Sequence, residues 1–149
     1  MVKAQSDPAQ RAAAFKRIRE AHQTEVAEDY VELIEDLIDA HGEARLVDLA
    51  RYLGISQATA AKTVQRLQRE GLVDSRPYRS IFLTQAGRDL AAMARARHQV
   101  IYEFLCAIGI DPETAASDAE GMEHHVSEAT LDALKRLTAE AGKQSQSRG

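Results

Sequence analysis

The sequence predicts an all-α fold with a small β wing: a winged helix-turn-helix unit followed by a second, helical unit. Three observations predict it. Residues 46–70 read as helix, glycine turn and helix, and two short strand patterns follow directly. Apolar residues recur at three- and four-residue spacing on either side of that block, the period of amphipathic helices. The single cysteine, Cys106, rules out an internal disulfide or a thiolate zinc cluster, so the fold has to rest on an apolar core.

Residues 1–21 are polar and rich in Ala, Arg and Gln, and read as a flexible extension, partly helical from Ala9. The first amphipathic helix spans about 23–41, with Val26, Tyr30, Leu33, Ile34, Leu37 and Ile38 as its apolar stripe and Gly42 as its C-cap. Leu46–Leu53 forms a short second helix, and Gly54-Ile55 a turn. Ser56 is an N-cap for a third helix running to about Glu70. Residues 72–83 read as two short strands joined by a basic loop. Thr84 caps a long helix, Gln85 to about Ile108. Asp111-Pro112 pairs an N-cap with proline at the first helical position and opens a helix to about Met122. Ser127 caps a last helix, about 128–141, ended by Gly142. The units are then 1–21 (extension), 22–90 (winged helix-turn-helix), 91–142 (second helical unit) and 143–149 (polar tail).

The formal charge of −4 conceals two opposed patches. Residues 22–42 carry seven acids and no Lys or Arg, whereas residues 56–80 carry five bases against two acids, a local +3. A phosphate backbone responds to the local field, so an acidic chain of this kind remains compatible with nucleic-acid binding. No apolar run reaches the ~18–20 residues of a membrane span, and the N-terminus has no signal-peptide core. A cytoplasmic protein with no membrane partner is expected. There is no nucleophile elbow, phosphate loop or HExxH helix. The expectation is no enzyme and no small organic substrate.

A helix-turn-helix needs a small residue in its first helix, a glycine in the turn, and apolar side chains that pin the two helices. Ala50, Gly54, and Leu49, Leu53, Ile55, Ala60 and Val64 fill those roles. The next helix then presents Ser56, Gln57, Thr59, Lys62, Thr63 and Arg66 outward, groups that bond base edges and phosphates in a major groove. The hairpin adds Arg76, Tyr78 and Arg79, placed for the flanking backbone. Lys62 and Arg66 suit phosphate as well as bases. The bland alternative is an αα-hairpin with a solvated charged face.

The densest chemistry lies in Asp118-Ala119-Glu120-Gly121-Met122-Glu123-His124-His125. Glu120 and Glu123 share a helix face, and two imidazoles follow where the helix ends. Carboxylates mixed with imidazole, and no thiolate, suit a borderline-hard divalent metal such as Mn²⁺ or Fe²⁺. Asp29 and Glu32, three apart on the acidic first helix, and His98 in the long helix could join them. Taken singly, each has a plainer reading: an acidic pair on an amphipathic helix is more often a solvated face, and a lone helical histidine more often a satisfied or exposed residue than a ligand.

Together these pieces resemble the diphtheria-toxin-repressor family of metal-dependent regulators, and most closely its manganese-responsive branch. The resemblance covers about residues 23–140. It rests on Glu28-Asp29-Tyr30-Val31-Glu32, the winged motif, Arg97-His98, and Glu120 to His125. It implies a two-metal site: Glu32, His98, Glu120 and Glu123 for one ion, and Asp29, Glu120, Glu123 and His124 for its neighbour. His125 matches a position that is not a ligand in the family. Iron-sensing relatives place Met and Cys where this chain has Asp29 and Glu123, so the resemblance implies two Mn²⁺ per subunit, with Fe²⁺ as the alternative. The resemblance is to the short form of the family, so the SH3-like domain of the long members is not expected.

The resemblance further implies a homodimer that binds palindromic double-stranded operator DNA when metal is bound, and that represses manganese uptake genes. Its interface is expected on the C-terminal helices with Ile108, Ile110, Leu131, Leu134 and Leu137. The alternatives are an iron-responsive regulator of the same family and a winged-helix regulator that senses no metal.

Overall fold

The computed structural model describes residues 7–76 and 80–147. Its elements are α1 (Pro8–His41), α2 (Leu46–Leu53), α3 (Gln57–Arg69), β1 (Val73–Ser75), β2 (Ile81–Leu83), α4 (Gln85–Ala107), α5 (Pro112–Met122) and α6 (Glu128–Gln146). The all-α fold with a two-stranded wing is the one expected. Local capping explains most of the boundaries. Ser56, Thr84, Asp111 and Ser127 each accept a hydrogen bond from the backbone N–H three residues on, opening α3, α4, α5 and α6. Gly54 turns α2 into α3 at φ +67°, a conformation that L side chains adopt at a cost. β1 and β2 pair antiparallel, with Val73 opposite Leu83 and Ser75 opposite Ile81.

Two boundaries differ from the sequence expectation. α1 starts at Pro8, not near residue 23, so residues 8–21 continue the first helix with Phe15 and Ile18 exposed. Ala12, Ala13 and Ala14 carry high helix propensity, and Pro8 sits where proline suits a helix start. α6 runs through Gly142 to Gln146. A glycine in an exposed helix costs only about 1 kcal/mol, and Gly142 is not among the glycines with positive φ that close a helix.

Side chains collect into two cores. The first joins Val31, Ile34 and Leu37 of α1 to Leu49, Val64, Leu67, the wing residues Val73, Ile81 and Leu83, and Ala91 of α4. The second joins Ile101 and Leu105 of α4 to Ala115, Ala119 and Leu131 of α5 and α6. Helix α4 therefore belongs to both. Leu131, expected at a subunit interface, is buried in this second core, with Ile110 and Leu134 packed against it; Ile108 and Leu137 are exposed.

The wing closes onto α4 at Gly87. A Cβ there would lie 2.1 Å from the Leu72 carbonyl oxygen and 3.3 Å from a Leu83 methyl. Thr84 fixes the same corner, since its hydroxyl donates to the Gly71 carbonyl at 2.6 Å and its N–H to the Leu72 carbonyl at 3.1 Å. Gly87→Ala is predicted to destabilise the fold by about 2 kcal/mol, because backbone must shift to admit the methyl. Equilibrium urea unfolding checks this, and an unchanged midpoint would show that the corner yields freely.

Candidate metal centre and nucleic-acid interface

The acidic face of α1 meets α4 and the turn after α5 at the seam between the two cores. Arg95 and Arg97, two residues apart on α4, receive that face. Arg95 pairs with Glu35 and, at 2.7 Å, with Asp36. Arg97 pairs with Glu28 at 3.3 Å and with Glu128 at 3.5 Å. Glu28 is 2% exposed, and its other oxygen lies 2.6 Å from His124 Nδ1. A carboxylate there accepts the Nδ1–H of His124 and leaves Nε2 pointing away from it.

That Nε2 faces Asp29 Oδ1 at 3.2 Å and Glu123 Oε1 at 3.4 Å. Glu123 is 1% exposed and lies between the two imidazoles, its Oε2 being 3.0 Å from His98 Nδ1. Glu120 Oε1 is 3.7 Å from the same nitrogen. Tyr102, one turn along α4, stacks on His98 with planes 6° apart. Two groups of ligand atoms lie within 4.8 Å of one another: Glu25, Asp29 and His124, and His98, Glu120 and Glu123. Five of the six residues expected as ligands, Asp29, His98, Glu120, Glu123 and His124, fall in these two groups. Glu32 belongs to neither compact group, but its acidity responds to Glu120 and Asp29 across the pocket.

The electrostatics mark the pocket as short of positive charge. Burial pushes Glu32 up to about 7, with Glu120 and Asp29 adding to it against the pull of Arg95. Burial pushes Glu123 up to about 8, reinforced by Glu32 and Glu120. Asp29 is raised as well, first by burial and then by Glu25 and Glu120, against His124. Burial alone would lower His124, but its hydrogen bond to Glu28, with Asp29 and Glu123, outweighs burial and raises it. Glu32 Oε1 is buried with no hydrogen-bond partner among the described residues, and Glu123 Oε2, though 3.0 Å from His98 Nδ1, is not aligned with it for a hydrogen bond. Buried acceptors left unmatched are costly. Oxygen-rich acceptors beside neutral-capable imidazoles fit a divalent cation, and the carboxylates present fit that group.

Sequence reasoning passed over Glu28 and Glu25. Glu28 stood in the Glu-Asp-Tyr-Val-Glu motif, but its partner lies 96 residues away. Glu25 was counted only as one of the seven acids, yet it carries a hydrogen bond with His125 at 3.1 Å.

At the other end of the first core, α3 exposes Ser56, Gln57, Thr59 and Lys62, while Thr63 and Arg66 are half-buried. Ser56 is occupied with capping: its hydroxyl accepts the Thr59 N–H and donates to Thr59 Oγ1. Arg66 pairs with Glu70 at 3.5 Å. One flank of α3, with Gln57, Gln65 and Gln68, faces Ser75 and Arg76 across an open cleft of about 1140 Å³. Arg76 is exposed at the wing; Tyr78 and Arg79 lie outside the described residues.

A winged helix-turn-helix joined to a helical unit, with a carboxylate–imidazole pocket at the joint, defines the class of metal-dependent repressors. The family model for the iron dependent repressor N-terminal DNA binding domain matches residues 22–81, and that for the iron dependent repressor metal binding and dimerisation domain matches residues 84–144. The chain belongs to this iron-dependent, or diphtheria-toxin, repressor family, among relatives named MntR. It is 53% identical over 128 residues to the transcriptional regulator MntR of Escherichia coli O6:H1, covering 86% of this chain and 83% of that one. It is 36% identical over 110 residues to the HTH-type transcriptional regulator MntR of Bacillus subtilis strain 168, covering 74% and 78%. A solved manganese-dependent transcriptional repressor complex with manganese superposes with a TM-score of 0.67 at 27% identity, over 76% of this chain and 52% of that one.

The raised groups share one sign. A Glu or His titrating higher in the folded than in the unfolded chain stabilises the fold below its ordinary range. That contribution is lost as pH rises through its folded value. Glu32, Glu123, Asp29 and His124 all act this way. The metal-free protein is therefore predicted to lose thermal stability from about pH 5 to about pH 8. A divalent cation, competing with those protons, restores more stability at the upper end than at the lower. Unfolding midpoints in EDTA and in Mn²⁺ across this range check it; a metal-free midpoint that rises with pH would contradict it.

Proposed function

We propose that this protein is a manganese-responsive transcriptional repressor. It acts in the cytoplasm as a homodimer, binding palindromic operator DNA when Mn²⁺ is held and repressing manganese uptake genes. The observation that carries this reading is the seam pocket, where Asp29, Glu32, Glu120 and Glu123 gather around His98 and His124 with buried acceptors unmatched. Its donors are oxygen and imidazole only, a hard set that suits Mn²⁺ and offers none of the sulfur that softer ions prefer.

Glu32, His98, Glu120 and Glu123 would hold one ion and Asp29, Glu120, Glu123 and His124 a second, with Glu123 facing both histidines. Divalent cations held there would neutralise the carboxylates that α1 and α5 turn toward one another, and so would favour a close seam between α1, α4 and the turn after α5. The residues prepare that step. Glu28 holds the His124 ring so that Nε2 faces the pocket, the outer carboxylate–histidine arrangement that orients metal ligands. Arg97, 3.3 Å from the other Glu28 oxygen, holds that carboxylate in place. Without a cation, the carboxylates of α1 and α5 repel across the seam, and the two cores hold a looser relation. Ordering the seam before DNA arrives lowers the ordering cost of binding DNA, so metal and DNA affinities rise together.

On the DNA side, α3 enters a major groove with Gln57, Lys62 and Thr63, and Arg76 takes phosphate beside it. Two such helices on a two-fold axis read a palindrome.

Anisotropy of a labelled fragment from upstream of a manganese transporter gene tests the reading. Tight binding is expected with Mn²⁺ and not in EDTA; equal binding in both would leave a regulator that senses no metal, and a preference for Fe²⁺ under anaerobic conditions would leave an iron sensor. Glu123→Ala is expected to abolish Mn²⁺-dependent DNA binding while far-UV circular dichroism stays unchanged. Retained Mn²⁺ dependence in that variant would remove the pocket from the mechanism.

A further inference from the structure

The outer end of the pocket holds a carboxylate that the expected ligand set does not contain. Glu25 lies one turn before Asp29, on the same face of α1. Ligand atoms of Glu25, Asp29 and His124 all lie within 4.8 Å of one another. The His124 side chain is 2% exposed and already held at Nδ1 by Glu28, so its Nε2 is aimed into this group. Glu25 itself is only partly exposed, and its Oε2 is 3.1 Å from His125 Nε2 and 3.8 Å from His22 Nδ1.

We propose that Glu25 is an additional carboxylate ligand at the Asp29–His124 end of the pocket, one that sets which divalent cation is retained there. The inference rests on the metal-dependent reading above. A further oxygen donor raises the coordination number the protein can offer. Zn²⁺ settles into four-coordinate sites rich in nitrogen and sulfur, whereas hard ions of Mn²⁺ type take more oxygens. Adding Glu25 to Asp29, Glu120, Glu123 and His124 therefore favours Mn²⁺ without relying on intrinsic affinity, which runs the other way.

The competing role for Glu25 is a latch that only holds His125 and the turn after α5. Two substitutions separate the roles. Glu25→Gln removes the anionic ligand but keeps an oxygen that can accept from His125. His125→Ala removes the latch and leaves the carboxylate.

Mn²⁺ and Zn²⁺ are titrated into the full-length chain and both variants, with free Mn²⁺ read by electron paramagnetic resonance and heats by calorimetry. The expected result is that Glu25→Gln weakens one Mn²⁺ site by about tenfold or more and leaves Zn²⁺ affinity within about threefold. His125→Ala is expected to keep Mn²⁺ affinity. Wild-type Mn²⁺ affinity and stoichiometry in Glu25→Gln would overturn the assignment while leaving the metal-dependent reading intact. So would a loss in His125→Ala equal to that in Glu25→Gln, which would make Glu25 a latch. A wild-type chain that takes up no Mn²⁺ would overturn both readings together.

Discussion

A buried carboxylate that cannot be left alone fixes the geometry of this molecule. Glu28 leaves water almost completely, and an ion that does so costs several kcal/mol unless opposite charge and hydrogen bonds meet it. Arg97 meets one oxygen and His124 the other. Those three residues come from α1, α4 and the turn after α5, so satisfying one carboxylate brings together three segments that are far apart in sequence. Breaking either contact would expose the same penalty. The position of everything else at the seam, including where His124 directs its second nitrogen, follows from that knot.

Around the knot the charges do not balance. Asp29, Glu32, Glu120 and Glu123 face two imidazoles, and the nearest further arginine, Arg95, is engaged by Glu35 and Asp36. A fold can tolerate such an excess in two ways: by holding protons, which is why burial raises Glu32 and Glu123, or by holding cations. The first is available to any buried acidic cluster. The second requires donors that converge, and the two compact groups of ligand atoms supply that convergence. Protons and divalent cations thus act on the same oxygens, and whatever the pocket does is coupled to both.

How much of this was legible in the sequence follows from the range of the forces involved. The caps at Ser56, Thr84, Asp111 and Ser127 were legible because each is satisfied within three residues of chain. The helix-turn-helix was legible because Gly54 and the apolar pins lie within one short segment. The start of α1 was not, because residues 8–21 bury no apolar stripe and their helicity rests on alanine propensity and continuity with a helix that does. Gly142 misled for the opposite reason, since a glycine ends a helix only where the chain needs a positive φ. For the pocket, the expected ligands were visible as residue types, and their convergence was supplied by resemblance. Glu28 and Glu25 stayed hidden among seven neighbouring acids until the partners, His124 and His125, about a hundred residues later, were placed beside them.

The seam also explains how events there can reach the opposite end of the chain. Helix α1 carries Glu25, Glu28, Asp29 and Glu32 on the pocket side, and in the same and the following turns places Tyr30, Val31, Ile34 and Leu37 in the core that holds Val64 and Leu67 of α3. Helix α4 carries Arg95, Arg97 and His98 at the pocket, with Ala91 in the first core and Ile101 and Leu105 in the second. Packed interiors deform little, so a shift of α1 against α4 moves whole cores and not single side chains. Helix α3 contributes Val64 and Leu67 to the first core, and the second core holds residues of α5 and α6. Because α1 and α4 border the pocket and pack in these cores, a shift of one against the other is also a shift between α3 and the C-terminal helices. The position of the acidic cluster at this joint, and not inside either core, is what turns a local charge problem into a property of the whole molecule.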